Sequence, residues 1–360
     1  MEVSTEAGHA ACADKSSWRV CLVVIARDEA AHIERLLRSV EPWVDEMLVL
    51  DTGSVDATPA IAQACGARLE HFSWCDDFSA ARNAALAAAA ADWHLVLDAD
   101  EWLIEGGGLL RSLKQLRPNF VGSIELMDQF DDGEIRHARS RLSRVLPGHV
   151  RYEGRVHEQP QHHLPVKPLA LQVGHDGYLP ERLELKRGRN DALLKQALQH
   201  KPADAYLWYQ LGKNCAVYDD HAGAEQGFAR AAQLGATAQG WWMDLVARRL
   251  FALKQLKQHD AAMQFAESQL QNCAESPDFF FALGDLLLDL AADQPDQGEA
   301  LLPMIEDAWR RCLEIGERPD LSGAVQGRGS HLAAHNLALV LEGTGRSDEA
   351  QALRQTYAQA

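Results

Sequence analysis

Hydrophobic and polar positions follow two alternating rhythms in the first hundred residues. Short apolar runs typical of buried strands are each followed by a stretch with apolar residues at helical spacing. Strands alternating with helices form βαβ units, in which crossover helices cover the faces of a largely parallel sheet. The pattern predicts strands at residues 20–26, 47–50, 67–71 and 93–97, and helices at 29–40, 56–65 and 77–91.

The rhythm changes after Pro118. Four further strands are predicted at residues 121–126, 134–138, 141–146 and 169–173, with a turn at Asp131-Asp132-Gly133. We expect these strands to extend the sheet and to wall a cleft for an acceptor.

The strand signal ends at about residue 181, and a helical repeat begins. Trp208, Leu211 and Gly212, followed by apolar positions to Ala231, have the spacing of a tetratricopeptide helix pair, and Trp242 follows Trp208 after one repeat length. Residues 280–284 and 337–350 carry weaker versions, and residues 292–298 are predicted to be a loop insertion. The predicted division is a tail at 1–17, an α/β domain at 18–180 and a repeat domain at 181–360.

Composition narrows the class of protein. The chain is 47% hydrophobic and 24% charged, which is typical of a soluble globular protein, and its net charge of -17 argues against nucleic acid as a partner. No apolar run is long enough to span a bilayer, and the start lacks the features of a secretory signal. Seven scattered cysteines without a Cys-x-x-Cys pair argue against a zinc site or a disulfide framework. We therefore expect a cytoplasmic protein.

The most informative chemistry lies where the fourth predicted strand ends. Asp98 and Asp100 follow the apolar run 95–97, and residues two apart on an extended chain point the same way. Carboxylates at the carboxyl end of such a strand lie where open α/β sheets bind ligands. A hard divalent cation that also binds phosphate oxygens is the expected ligand, although Asp-x-Asp by itself is common in an acidic chain.

Other polar clusters are predicted at the same edge of the sheet. Asp28 and Glu29 follow the first strand, Asp51 and Ser54 follow the second, and Arg82 lies near the start of the third helix. Helix N-termini at this edge favour phosphate groups. Each cluster alone is equally typical of a turn, a helix cap or a solvated charge.

Six motifs in order give these clusters a common interpretation. Together they resemble the family 2 glycosyltransferases, which have the GT-A fold, and in particular bacterial members fused to tetratricopeptide repeats. Arg27-Asp28 departs from the Lys-Asn of many relatives. The motifs are Ala26-Arg27-Asp28-Glu29, Asp51-Thr52-Gly53-Ser54-Val55-Asp56-Ala57-Thr58, Asp77-Phe78-Ser79-Ala80-Ala81-Arg82-Asn83, Asp98-Ala99-Asp100-Glu101, Gly154-Arg155-Val156-His157-Glu158 and His175-Asp176-Gly177-Tyr178.

The resemblance implies a nucleotide-sugar donor, with a UDP-sugar favoured. It places Glu29 and Asp51 near the nucleoside, Arg82 near the diphosphate, and Mn²⁺ or Mg²⁺ on Asp98 and Asp100, with Asp100 as the more direct ligand. His175 is a further candidate ligand because imidazole is acceptable to Mn²⁺. The expected donor-binding residues are Asp28, Glu29, Asp51, Ser54, Arg82 and Asp98, and the expected metal ligands are Asp98, Asp100 and His175.

Inverting transfer also needs a base that takes the proton of the acceptor nucleophile. We hypothesise that Glu158 is this base, with His157 as the alternative. A structural ion pair between Glu158 and an arginine would look the same in the sequence.

These expectations combine into a metal-dependent inverting glycosyltransferase. Solenoids commonly bind extended peptides, so the repeats favour a protein or peptide acceptor. A lipopolysaccharide-core or other glycan acceptor is the alternative. A non-catalytic repeat scaffold with a vestigial transferase domain is the second alternative, and the oligomeric state, including a homodimer, stays open.

Overall fold

The computed structural model describes residues 17–131, 135–175 and 188–357, with the backbone alone for residues 128–131 and 135–138. The predicted tail, apart from residue 17, and the predicted domain boundary at 180/181 lie outside the described residues. The strands are β1 Val20–Ala26, β2 Glu46–Asp51, β3 Arg68–His71, β4 Trp93–Val96, β5 Glu101–Glu105, β6 Val121–Asp131, β7 Ile135–Pro147, β8 Arg151–Glu153, β9 Gln159–Gln161 and β10 Val166–His175. The first helices are α1 Ile33–Val40, α2 Thr58–Ala64, α3 Phe78–Ala89 and α4 Gly107–Leu113.

The central strand β1 is buried on both faces. Val20, Leu22 and Val24 pack into the same core as the apolar side of α1, whereas Cys21 and Val23 pack with α3 on the opposite face. A strand enclosed in this way has a continuous apolar run instead of an alternating one. This explains why β1 is marked in the sequence by a continuous apolar run.

Eight strands form the main sheet, in the order β3-β2-β1-β4-β7-β6-β10-β5. The first four are parallel, and β6 is parallel to β10, whereas β7 and β5 run antiparallel to their neighbours. The predicted α/β fold with a mostly parallel sheet is confirmed. The carboxyl ends of β1, β2 and β4 therefore open onto one edge of the sheet.

Three details of the strands after residue 100 differ from the prediction. The strands predicted at 134–138 and 141–146 are one strand, β7, which pairs with β6 along most of its length, although residue 134 lies outside the described residues. The short strand β5 and the β8–β9 hairpin were not predicted. Strands β8 and β9 have three residues each and are mostly exposed, and the apolar run of β5 is only three residues long.

The helical region consists of α5 Arg189–His200 followed by paired helices. In the first pair, Gly212 lets two helices approach closely, because a Cβ built there would lie 2.6 Å from the Phe228 ring. The tetratricopeptide-like solenoid is confirmed. Its helices are α6 Ala205–Val217, α7 His221–Leu234, α8 Trp242–Gln255, α9 His259–Gln269, α10 Pro277–Asp293, α11 Pro295–Ile315, α12 His331–Gly343 and α13 Ser347–Thr356.

The position of the insertion was predicted wrongly. Residues 292–298 are almost entirely helical, because Pro295 takes the first turn of α11, where its missing N–H costs nothing. The irregular segment lies instead at residues 316–330, between α11 and α12, and we call it the strap. None of the described helices combines the length and the apolar character needed to cross a membrane.

The strap links the repeats to the sheet. It lies on the inner face, which we define as the face formed by α6, α8 and α10: Val325 N–H and Arg328 both donate to Asp278 on α10, at 3.2 and 2.8 Å. On its other side the Ala324 carbonyl accepts a hydrogen bond of 3.3 Å from Arg139 N–H of β7. The strap, a segment of the same chain, therefore occupies part of the inner face.

Candidate active site

The loops that follow β1, β2 and β4 meet at one edge of the sheet. Ala26 pairs with Asp51 in the β1–β2 register, and Leu97 N–H donates to the Val23 carbonyl at 3.3 Å. The three polar clusters that follow these strands in the sequence are therefore neighbours in space.

Asp28 and Ser54 hold the first two loops together. Asp28 N–H donates to Ser54 Oγ at 2.9 Å, and Val55 N–H donates to Asp28 Oδ1 at 2.8 Å. Asp28 has a φ of 56°, a strained value for a residue other than glycine. Through these contacts Asp28 and Ser54 fix the loop after β1 to the loop after β2 at the edge of the site.

Asp51 is a buried carboxylate that is fixed by the backbone of its own loop. It is 5% exposed and accepts hydrogen bonds from Gly53 N–H and Ser54 N–H at 3.2 and 3.1 Å. Burial raises the pKa of Asp51, but the hydrogen bonds from Ser54 and Gly53 outweigh it and lower the pKa. Glu29 lies close by and contacts His32 Nδ1 at 2.9 Å. Two acidic groups thus flank the loop.

Arg82 is placed by the start of α3. Asp77 caps this helix by accepting from Ala80 N–H at 2.9 Å, and Phe78 N–H donates to the Arg155 carbonyl at 2.9 Å. Arg82 then lies one turn into the helix with its side chain buried, only 6% of the residue being exposed.

The Arg82 guanidinium joins two parts of the site. It donates to Asp98 Oδ1 at 2.6 Å through Nη2, and through Nε it forms an ion pair with Glu158. Burial opposes its charge, but Asp98 and Glu158 outweigh this and raise the pKa of Arg82 well above its usual value. Its Nη1 is buried and has no hydrogen-bond partner among the described residues. Nη1 of Arg82 can therefore donate a hydrogen bond to a ligand.

A second arginine, Arg144 of β7, completes the charge cluster. It contacts Asp98 Oδ2 at 2.8 Å and Glu101 Oε1 at 3.0 Å, and Asp98 N–H donates to Glu101 Oε2 at 2.8 Å. Burial raises the pKa of Glu101 to about 7, whereas Arg82 and Arg144 overcome the burial of Asp98 and hold its pKa well below the usual value. Arg144 falls within the strand predicted at residues 141–146, but no role in the site was predicted for it. It reaches the site because β7 pairs with β4, and that pairing has no local signal in the sequence.

Asp100 and His175 form the other side of the site. Asp100 is 6% exposed, and its Oδ2 lies 3.5 Å from Nε2 of His175. His175 is brought there because β10 ends beside the first residue of β5, Glu101, in an antiparallel register. The rest of the predicted motif, residues 176–178, lies outside the described residues.

This donor set fits a divalent cation on one side. A carboxylate oxygen and an imidazole nitrogen are acceptable to Mn²⁺, and those of Asp100 and His175 are close enough to share an ion. Asp98 differs, because both of its oxygens are bound by arginines. A direct contact between Asp98 and a cation therefore requires it to turn away from Arg82 or Arg144.

The two base candidates lie in a strained loop between β8 and β9. His157 has a φ of 51° and Gly154 a φ of 104°. Glu158 binds Arg82 through Oε1, so the ion pair that was the alternative interpretation is present. Burial lowers the pKa of His157 to about 4, with the charge of Lys213 adding to the effect, so His157 is neutral at pH 7.

Residues 21–162 match the family model described as glycosyl transferase family 2. Over 211 residues the chain is 42% identical to a TPR repeat-containing protein of Synechococcus elongatus, covering 54% of this chain and 51% of that protein. Over 207 residues it is 28% identical to the SPbeta prophage-derived glycosyltransferase SunS of Bacillus subtilis, covering 54% and 49%. The chain spans about half the length of these relatives.

Solved structures match parts of the chain. Glucosyl-3-phosphoglycerate synthase from Mycobacterium tuberculosis, in complex with Mn²⁺, UDP and glucosyl-3-phosphoglycerate, is 26% identical and matches 32% of this chain and 45% of its own, with a TM-score of 0.26. MamA from Desulfovibrio magneticus is 17% identical and matches 48% and 86%, with a TM-score of 0.36. The family assignment rests on the sequence match. Residues 21–162 of this chain are a family 2 glycosyltransferase domain.

Proposed function

We propose that this protein is a metal-dependent, inverting glycosyltransferase that moves a sugar from a nucleotide-sugar, most simply a UDP-sugar, to an acceptor. One observation supports the proposal above the others. Asp100, His175 and Arg82, from three separate segments of the chain, lie at the edge of the sheet that also carries the Asp28 and Asp51 loops. Groups of this kind are those that a cation and a diphosphate require.

In this proposal the donor lies across the edge of the sheet. Glu29 and Asp51 are nearest the nucleoside, and Arg82 lies nearest the diphosphate, where its buried Nη1 is available as a donor. Asp100 and His175 hold Mn²⁺ or Mg²⁺. Asp98 binds Arg82 and Arg144, and it contacts the cation only if it turns away from one of these arginines. A cation bound there acts as a Lewis acid on the departing diphosphate.

Glu158 is the group that we propose to take the proton of the acceptor. Arg82 fixes its Oε1 through an ion pair, and a base must be held in a defined position to reach the proton that it takes. His157 is the weaker candidate, because an imidazole with a pKa of about 4 has little affinity for a proton at pH 7.

The acceptor is proposed to be a protein or peptide side chain. We call the loop between β8 and β9, which carries Glu158, the base loop. Gln159, at the end of this loop, donates to the Tyr206 hydroxyl of α6 at 3.1 Å, so the base loop contacts the first helix pair of the repeats. An extended peptide on the α6 end of the inner face would therefore reach the base loop. A serine, threonine or cysteine side chain is the expected nucleophile.

A thermal-shift screen tests the donor. UDP-, GDP- and dTDP-sugars are each added with Mn²⁺ and with chelator, because a ligand that binds the folded state raises its melting temperature. We expect one nucleotide class to stabilise the protein in the presence of Mn²⁺, and donor hydrolysis to stop when the metal is removed. The absence of any shift and of any hydrolysis under all conditions would favour the scaffold alternative.

The Glu158→Gln variant tests the base. We expect turnover to fall about a hundredfold, within the range for loss of a general base, while the donor dissociation constant stays the same. His157→Gln is the matched variant, and we expect it to keep most of its turnover. Near-normal turnover of Glu158→Gln would make the base assignment wrong.

A further inference from the structure

Arg189 is a cation that the helical region places beside the transferase site. It is the first residue of α5, it follows Gly188 with a φ of 80°, and it lies outside residues 21–162. Its guanidinium carbon is 5.7 Å from the centroid of the Phe78 ring. Phe78 begins α3, one turn before Arg82. The two guanidinium groups therefore belong to the same end of α3.

Apolar packing fixes α5 at this place. Leu193 and Leu194, on the first two turns of α5, share a core cluster with Val156 of the base loop, and Phe78 packs against that cluster. Because this contact joins the two regions of the chain, the position of Arg189 is set by the interface between them.

The charges around Arg189 are those of the donor site. Glu29 and Asp100 act on it from the loops after β1 and β4, Arg27 opposes them, and Tyr218 contributes from the end of α6. Partial burial lowers the pKa of Arg189, and the acidic groups do not fully offset this. Among the described residues no carboxylate lies within ion-pair distance of Arg189, and its nearest hydrogen bond is a long one of 3.4 Å to Asn190.

We propose that Arg189 binds the diphosphate of the donor as a second guanidinium beside Arg82. A guanidinium presents several donors in a plane and binds phosphate oxygens in pairs. This inference rests on the proposed function, and it makes the donor site a joint product of the family 2 domain and the helical region.

Binding measurements with nucleotides of different charge test this role. Dissociation constants of UDP, UMP and uridine are measured by calorimetry in the presence of Mn²⁺ for the full chain and for Arg189→Ala and Arg189→Lys. We expect Arg189→Ala to weaken UDP about tenfold, UMP less and uridine not at all, because only the phosphates contact the guanidinium. Arg189→Lys should lie between, since it keeps the charge and loses the planar pair of donors.

Lys195→Ala is the matched control. Lys195 lies on the same helix and carries the same charge, but it is 62% exposed and pairs with Asp191 at 2.8 Å. We expect it to bind UDP like the unaltered protein.

Three outcomes are distinguishable. An unchanged UDP affinity in Arg189→Ala overturns the inference alone, and so does an equal loss for UDP and uridine, which indicates a structural role. If the unaltered protein binds neither UDP nor GDP nor dTDP, the proposed function fails and the inference fails with it.

Discussion

The edge of the sheet and the inner face of the repeats both pair carboxylates with arginines at partly buried positions. At the sheet edge Asp98 lies between Arg82 and Arg144, and in the repeats Asp278 lies against Arg328. Both arrangements take charge out of water and compensate it with a partner. The residue types alone therefore do not distinguish a binding site from a structural contact.

The difference lies in where the remaining donors and acceptors go. In the repeats, Asp278 also accepts from Val325 N–H of the strap, so the chain itself uses the polar group. At the sheet edge, Arg82 Nη1 has no described partner, and Asp100 and His175 approach each other as two ligands of one ion would. A buried donor without a described partner, next to an acid and an imidazole from two other segments, indicates a ligand site, whereas buried charge as such does not.

The largest expected effect is the difference in transfer rate between the variants Asp100→Asn and Asp278→Asn. We expect Asp100→Asn to lower glycosyl transfer about a thousandfold, because the cation loses a ligand that supports several kcal/mol of barrier reduction, while the melting temperature changes little. Asp278→Asn should keep transfer and lower the melting temperature. Initial rates and thermal unfolding of both variants measure this, and the reverse pattern would invert the comparison.

The next comparison asks how much stability is lost when a buried acid loses its arginine partner. It uses the variants Arg82→Met and Arg248→Met. Removing Arg82 leaves Glu158 without its ion-pair partner and weakens the hold on Asp98, so we expect the free energy of unfolding to fall by about 3 kcal/mol. Arg248 pairs with Asp244 at 2.7 Å, but Asp244 also accepts from Tyr209, so we expect a loss of about 1 kcal/mol. Urea unfolding measures both values, and equal losses would contradict the distinction.

The smallest expected effect is the pH dependence that Glu101 adds to stability. Burial raises its pKa in the folded protein to about 7, so between about pH 4.5 and 7 the folded state binds more protons than the unfolded state and stability falls as the pH rises. Glu101→Gln removes this contribution. Unfolding free energies at pH 5 and 7 should show a decline in the unaltered protein relative to the variant, on the order of 1 kcal/mol. Identical slopes would contradict the pKa direction.

Much of the sheet could be predicted because its centre has an unmistakable pattern. The run Val20–Ala26 and its neighbours are buried on both faces, so their apolar residues are continuous, and the polar clusters at their ends fall at one edge of the sheet by topology alone. The place of Asp28, Asp51, Asp98 and Asp100 at this edge was predicted in this way, whereas their roles in binding stay predictions.

The remainder depends on contacts between residues distant in the chain. Arg144 enters the site because β7 pairs beside β4, and Arg189 because α5 packs on Phe78, and neither pairing has a local signal. The insertion at 292–298 was predicted wrongly because Pro295 is as suitable for starting a helix as for a loop. The strap lacks any periodic pattern, so its place on Asp278 follows only from the tertiary structure.

Anomalous X-ray scattering from a crystal soaked with Mn²⁺ and UDP tests the central claim most directly. The account predicts a manganese peak within ligand distance of Asp100 and His175, bridged to diphosphate oxygens. Among the described residues, His259, Asp289 and Asp293 are the other group that could hold an ion, but Lys257 already pairs with both acids, at 2.8 and 3.1 Å. Manganese on that group, or an empty sheet edge with UDP bound elsewhere, would contradict the account.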